Sequence, residues 1–216
     1  MSTSMPRCSA RATAALACAL VLAPAAARAT TVRREPTLVE LLQDSELVVR
    51  GRVKSVADGI DARGVPYTEV TLTVAEALKG KAGTELTFRQ FGLLAPRRMG
   101  DGRVNLMVTP AAWPTYAKGE ESILFLRKPA AWTGLRTTAG LAHGQFRISV
   151  AGAANAANNA GLFQGVTVDS ALLGDAEKRV LATTRGPVHA RAFAALVKRA
   201  VDGRWIESGR MRHAAR

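Results

Sequence analysis

The chain has 216 residues, of which 48% are hydrophobic and 22% are charged, and its 30 lysines and arginines outnumber its 17 aspartates and glutamates. This length suits one good-sized domain and is short for two, and the composition is typical of a globular protein rather than a disordered or collagen-like one. Because the whole chain holds only 2 cysteines, it is not a disulfide-based scaffold.

Residues 1–29 have the parts of a secretory signal peptide. Two arginines precede an uncharged apolar stretch at 12–22, which is shorter than the ~20 residues that span a bilayer. Ala27 and Ala29 place small side chains where a signal peptidase reads the chain. We therefore expect cleavage after Ala29 and export to the periplasm or the cell exterior. Cleavage removes three of the 30 basic residues and no acid, so the net charge becomes +10.

Both cysteines, Cys8 and Cys18, lie inside the predicted signal peptide. The mature chain then has no cysteine, which excludes disulfides and thiolate chemistry there. A lipid anchor through Cys18 is the alternative, since a small residue precedes this cysteine. The apolar run continues for four residues beyond Cys18, which favours a cleaved signal. We expect no transmembrane segment in the mature chain, because no later apolar run approaches the necessary length.

A short helix and a strand open the predicted mature domain. Leucines spaced by three and four residues predict a helix in residues 36–43. The alternation that follows predicts a strand. Its apolar side carries Val49, Gly51 and Val53, and its opposite side carries Arg50, Arg52 and Lys54. These three basic residues, called the basic stripe below, are candidate binding residues.

Further strands are predicted where residues alternate or form short apolar runs rich in β-branched side chains. These strands cover residues 67–74, 85–89, 122–126, 135–138 and 145–150, and residues 165–168 are an additional short candidate. Residues 92–119 are irregular and rich in glycine and proline, and they hold Arg97, Arg98 and Arg103. These three, the loop arginines, complete the candidate binding residues. Residues 151–161, mostly alanine and asparagine, predict a flexible loop, and an apolar stripe predicts a helix at about 187–202.

Together these elements predict a mainly β protein with a single domain in residues 30–216. Five or six strands with short turns favour a small antiparallel OB-like Greek-key barrel, with its core at about 45–150. An N-terminal and a C-terminal helix flank this barrel. An antiparallel sandwich is the alternative architecture.

Four segments carry a resemblance to known proteins: residues 45–53, 67–74, 77–80 and 118–126. Their order is a strand with G-x-V, then T-x-V-T-x-x-V, then L-K-G, then G-E-x-x-x-x-F-L. This order resembles a group of uncharacterised exported bacterial proteins, and also the netrin-like OB-fold domains that include the tissue inhibitors of metalloproteinases. The resemblance covers about 45–150 and implies an OB fold. Those inhibitors chelate the protease metal through an N-terminal cysteine, which the predicted mature chain does not have.

The sequence contains no recognisable catalytic or metal-binding constellation. Its three histidines, His143, His189 and His213, have no partner at metal-ligand spacing, and a solvated or capping role is expected for each. His213 falls in a tail that we expect to fray. Neither a G-x-S-x-G motif nor a phosphate-binding loop is present. We therefore predict a non-enzymatic protein with no catalytic residue, no metal site and no cofactor.

The positive charge is the feature that bears on function. The basic stripe and the loop arginines form a candidate surface for a polyanion, held by a salt-sensitive field. Glu69 on the neighbouring strand is placed to pair with the stripe, which favours a solvated, neutralised surface instead. The leading hypothesis is an exported, non-catalytic interaction module for an unknown extracytoplasmic protein or a polyanionic surface. The alternatives are an inhibitor or accessory factor of a secreted protease, and a polyanion-binding protein.

Overall fold

The structure, a computed structural model, describes residues 35–214 of the chain. The predicted signal peptide, its cleavage position and both cysteines lie outside these residues. The described α-helices are α1 (Leu38–Asp44), α2 (Asp175–Leu181) and α3 (Ala190–Asp202). The described strands are β1 (Leu47–Ile60), β2 (Pro66–Lys79), β3 (Glu85–Phe91), β4 (Arg97–Arg98), β5 (Val104–Asn105), β6 (Glu121–Leu126), β7 (Gln145–Ser149), β8 (Gly152–Ala154), β9 (Val166–Val168) and β10 (Met211–His213).

Six of these strands form one antiparallel sheet, in the order β3-β2-β1-β6-β7-β8. The strands β1 and β2 are 14 residues long each and form a long hairpin in this sheet. Two smaller sheets pair β4 with β5 and β9 with β10. Among the residues that the structure describes, 35% are in strands and 19% in helices, so the prediction of a mainly β protein is confirmed.

The six-stranded sheet is not closed, so the predicted barrel is not confirmed. The predicted strand at 135–138 is reduced to an isolated antiparallel bridge between Thr138 and Leu126. One backbone hydrogen bond links the same segment to β3, from the N–H of Arg136 to the carbonyl of Arg89 at 2.8 Å. Just beyond Thr138, Gly140 takes a φ of 63°, which is incompatible with a continuing strand. A short 3₁₀ helix therefore separates this segment from β7.

The sheet packs apolar side chains on both of its faces. In β1, Val48 contributes to one core and Val49 to the other, because successive side chains of a strand point to opposite faces. The helix-side core joins α1 and α3 to the sheet, and the rings of Phe146 and Phe193 lie 4.9 Å apart in it. The strand-side core holds Phe88 among others. Part of each face of the sheet is thus buried, while Arg52 and Lys54 of β1 remain exposed.

The two predicted helices are present, with shifted boundaries. The helix α1 begins after Thr37, whose side chain and Glu40 form a reciprocal capping box. The helix α3 begins at Ala190 rather than at 187, because Val188 exchanges two backbone hydrogen bonds with Ala153, at 2.8 and 3.0 Å. The short helix α2 was not predicted. Within residues 35–214, no helix combines the length and the apolar character needed to cross a membrane.

Residues 151–161 differ from the predicted flexible loop. They contain β8, and two asparagines hold the turn that follows it. The side-chain oxygen of Asn155 accepts hydrogen bonds from two backbone N–H groups, at 3.1 and 2.9 Å. Asn159 is fully buried and donates to the carbonyls of Ala153 and Gly186. Such bonds from side chain to backbone define a turn without any hydrophobic period, so the sequence pattern did not reveal it.

The C-terminal tail, expected to fray at His213, instead forms β10. This strand pairs with β9, where Met211 lies opposite Val168 and His213 lies opposite Val166. Met211 is fully buried in the helix-side core. The burial of this one large apolar side chain explains why the tail is held against the domain.

Candidate binding surface

The basic stripe lies on β1, as predicted, but carboxylates of the same sheet neutralise it. Arg50 donates to one carboxylate oxygen of Glu121 through Nε and Nη2, at 2.9 and 2.7 Å. Arg52 donates to the other oxygen of Glu121 at 3.0 Å and to the carbonyl of Gly119 at 2.8 Å. One acidic residue of β6 therefore bridges two members of the stripe.

The third member of the stripe, Lys54, forms an ion pair with Glu85 at the start of β3. Glu69, which the sequence placed opposite the stripe, pairs instead with Arg89 at 2.7 Å. Since each cation of the stripe has an acidic partner, the local field that a polyanion meets there is reduced. These exposed or half-exposed pairs add little to stability.

Arg97, the first loop arginine, links the chain segment after β3 to the end of β1. Arg97 forms an ion pair with the carboxylate of Asp58 and also donates to the Asp58 carbonyl at 3.3 Å. The second carboxylate oxygen of Asp58 accepts from the backbone N–H of Leu94 at 2.9 Å. Arg97 is thus a structural anchor whose charge is already matched.

The other two loop arginines lie on the small β4–β5 hairpin. Arg98 in β4 pairs with Val104 in β5, and its exposed side chain has no ion-pair partner within residues 35–214. Arg103 is bound to Asp101, with 2.6 Å between Nη2 and the carboxylate. No hydrogen bond or ion pair in this part of the chain joins the loop arginines to the basic stripe, so the six candidates form two separate groups.

The exposed large apolar side chains are concentrated in the same loops. Six of the seven in residues 35–214 are Leu94, Val104, Leu106, Met107, Val108 and Trp132, and the seventh is Val150. Leu106 is 71% exposed and Trp132 is 74% exposed. Most scattered surface apolar residues need no explanation, but a contiguous patch marks an interaction site in many proteins.

Two loops, residues 94–109 and 127–134, carry these six side chains, and both contact the turn at 58–64. We call the three segments together, in chain order 58–64, 94–109 and 127–134, the loop end. Two contacts join them. Ile60 and Gly64 of the first loop line a groove of about 430 Å³ together with Met99, Arg103, Val104, Asn105, Leu106 and Met107 of the second. Arg63 of the first loop donates to the carbonyl of Trp132 in the third at 2.7 Å, and its guanidinium lies 5.0 Å from the indole centroid.

A fixed backbone holds the second of these loops. Leu93 is fully buried; its N–H donates to the carbonyl of Met107 at 3.0 Å, and its own carbonyl accepts from Thr109 at 2.9 Å. Gly92 has a φ of +103°, and a Cβ there would lie 2.5 Å from backbone atoms of Thr109. Only glycine allows this close approach. The exposed apolar side chains are therefore displayed from a closed, hydrogen-bonded base.

The histidines do not form a site. His189 is the N-cap of α3, and its Nδ1 accepts from the N–H of Ala192 at 3.3 Å. His143 Nδ1 lies 2.6 Å from a carboxylate oxygen of Glu35, and His213 belongs to β10. Within residues 35–214, no three histidine, cysteine or acidic side chains come together as metal ligands do.

Sequence reasoning identified the loop arginines and missed the apolar residues beside them. The available signal was the apolar run Val104, Leu106, Met107 and Val108 inside a segment without periodicity. Apolar residues without a period are assigned to neither a helix nor a strand, so their exposure becomes visible only in the folded chain. The sequence matches no protein-family model and no curated protein.

Proposed function

We propose that the chain is an exported, non-catalytic interaction module that binds its partner through the loop end. The observation that carries this proposal is that, within residues 35–214, six of the seven exposed large apolar side chains lie in two loops that both contact the turn at 58–64. Exposing these side chains to water is unfavourable by an amount that grows with their area. A partner that covers them recovers this free energy.

The proposed architecture is an OB-like arrangement of β1, β2, β3, β6 and the chain from 136 to 149. The hydrogen bond from Arg136 to Arg89 supports it, since this bond brings that chain segment to the free edge of β3. Loops at the end of such a barrel form the binding surfaces of many OB folds. The loop end occupies this position, since it contains the turn between β1 and β2.

The basic stripe is a weaker candidate for the binding surface. Glu121 and Glu85 occupy its three cations, so a polyanion has to displace bound carboxylates before it gains contacts. The protease-inhibitor alternative rests on the sequence resemblance alone. Export rests on the signal-peptide pattern of residues 1–29.

The test compares two variants of the full chain immobilised on a resin. The double variant Leu106→Ser/Met107→Ser removes apolar area from the loop end, and Val150→Ser removes an even more exposed apolar side chain elsewhere. Each resin is incubated with a detergent-free extracytoplasmic extract that includes envelope vesicles, and the bound material is quantified. We expect the wild type and Val150→Ser to retain the same component, and the double variant to lose about 90% of it, since each covered leucine contributes more than ~1 kcal/mol.

Equal retention by the double variant and by Val150→Ser refutes the proposal, because binding then does not depend on the loop end. Circular dichroism spectra of both variants serve as the folding control. Exposed side chains away from the core change stability little, so both spectra are expected to match that of the wild type.

A further inference from the structure

We propose that the loop end docks on an anionic lipid bilayer, an inference that rests on the proposed function and specifies the partner. The first ground is the chemical character of the exposed side chains. Leu94, Leu106 and Met107 are aliphatic, and Trp132 adds an exposed indole. Aliphatic side chains favour the acyl boundary of a bilayer, and indole favours the headgroup level.

The second ground is charge. The three loops of the loop end hold six basic residues (Arg63, Arg97, Arg98, Arg103, Arg127 and Lys128) and three acidic ones (Asp58, Asp61 and Asp101). The loops therefore carry a net charge of +3 in a chain whose net charge is +13. Each basic residue near an anionic membrane surface adds electrostatic attraction. The apolar side chains match the acyl region of a bilayer, and the excess of cations matches its anionic headgroups.

The arrangement of these charges fits the same occupant. Arg63, Arg97 and Arg103 are paired with Asp61, Asp58 and Asp101, so the excess positive charge of the loop end resides on the exposed residues Arg98, Arg127 and Lys128. Arg98 is exposed and has no acidic partner within residues 35–214. A guanidinium that is free of carboxylates is available for bidentate contact with a lipid phosphate.

A protein strand is a poorer fit to this surface. The strands β4 and β5 have two residues each, so their edges offer few backbone groups to a partner strand, which binds mainly through such groups. The groove beside them is open and shallow enough that Leu106 stays 71% exposed. Five of the six exposed apolar side chains lie on the loop 94–109 and Trp132 lies on another, and a fluid bilayer accommodates such protruding side chains without a matching shape.

Depth-dependent fluorescence quenching tests the inference. The full chain is mixed with vesicles of phosphatidylglycerol and phosphatidylcholine whose acyl chains carry bromine, a contact quencher of indole. The Trp132→Phe variant isolates the contribution of Trp132 from those of Trp113 and Trp205, of which Trp205 is buried. Residues 1–34 are common to all variants, so any difference between variants reports the loop end alone.

We expect the emission of Trp132 to be quenched by the anionic brominated vesicles and to recover as salt is raised, because screening weakens the attraction. Leu106→Ser/Met107→Ser should lower the affinity of this quenching at least about tenfold, the loss expected when a buried leucine is replaced by a polar residue. Val150→Ser should leave it unchanged. Vesicles of phosphatidylcholine alone should quench far less.

Absence of Trp132 quenching, or quenching that the double variant does not weaken, overturns the lipid inference. If the double variant nevertheless loses its partner from the extract, the loop end binds a protein and the proposed function stands. If neither experiment responds to the double variant, both proposals are wrong.

Discussion

Tyr116 shows how a single buried group can oppose folding. Its side chain packs edge-on against Phe88, with ring centroids 5.7 Å apart in the strand-side core. Its hydroxyl is buried and has no hydrogen-bond partner within the described residues. Burial, together with the nearby Glu120 carboxylate, raises the pKa of Tyr116 well above the ordinary tyrosine value. The packing of the ring is favourable, whereas the burial of the hydroxyl is not.

We therefore expect Tyr116→Phe to raise the free energy of unfolding by about 1 kcal/mol, because it removes an unsatisfied polar atom and keeps the ring. The difference should grow above the ordinary tyrosine pKa, where the unfolded wild type gains stability by releasing the Tyr116 proton and the variant cannot. Urea denaturation at neutral and alkaline pH measures both effects. Tyr67→Phe, which alters a half-buried ring stacked on Arg89, is the control, and a destabilised Tyr116→Phe contradicts the expectation.

At the level of elements, the β1–β2 turn depends on one carboxylate. Asp61 accepts hydrogen bonds from the backbone N–H of Val65 at 2.8 Å and of Arg63 at 2.9 Å. The bond from Val65 is the largest cause that lowers the pKa of Asp61, and the bonds and charge of Arg63 add to it. A carboxylate that accepts two backbone bonds closes this turn as an Asx motif.

Because the folded state lowers the pKa of Asp61, its contribution to stability is present above the ordinary aspartate pKa and is lost as the pH falls through the lowered value. We expect the amide resonances of Val65 and Arg63 to titrate with a midpoint below the ordinary aspartate range. An NMR pH titration measures this midpoint. Asp61→Asn keeps the acceptor oxygen and should abolish the titration, whereas a midpoint at or above the ordinary value contradicts the prediction.

Elements with a clear period were predictable, and those without one were not. The alternation in β1 and β2 and the apolar stripe of α3 identified these elements, because each buries one face against a core. The hairpin of β4 and β5 was not predicted, because strands of two residues cannot show an alternation. The turn at Asn155 and Asn159 was not predicted either. Asn159 donates to the carbonyls of Ala153 and Gly186, and the contact with Gly186, which is distant in sequence, forms only in the folded chain.

The candidate site was predictable only in part for the same reason. Basic residues stand out by type, so the sequence pointed to the basic stripe and the loop arginines. The sequence could not show that Glu121 bridges Arg50 and Arg52, because β6 lies next to β1 only in the folded sheet. Nor could it show that Trp132 lies beside Arg63, a contact that depends on how two loops approach.

At the scale of the whole molecule, β1 and β6 each contribute side chains to both cores. In β6, Phe125 contributes to the helix-side core, while Leu124 and Leu126 contribute to the strand-side core. In β1, Val48 and Val49 divide in the same way. Neither core can therefore lose its packing while the other keeps both of these strands in place.

Because β1 and β6 contribute to both cores, we expect unfolding to be cooperative. We expect differential scanning calorimetry to record one heat-absorption peak for the chain, with a calorimetric enthalpy equal to the van't Hoff enthalpy, as for a two-state protein. Substitution of Val48 or Val49 by alanine should shift the whole peak to lower temperature without splitting it. Two resolved peaks would show that the two cores unfold independently. A single peak would show that a substitution in either core destabilises the whole domain, including the backbone that holds the loop end in place.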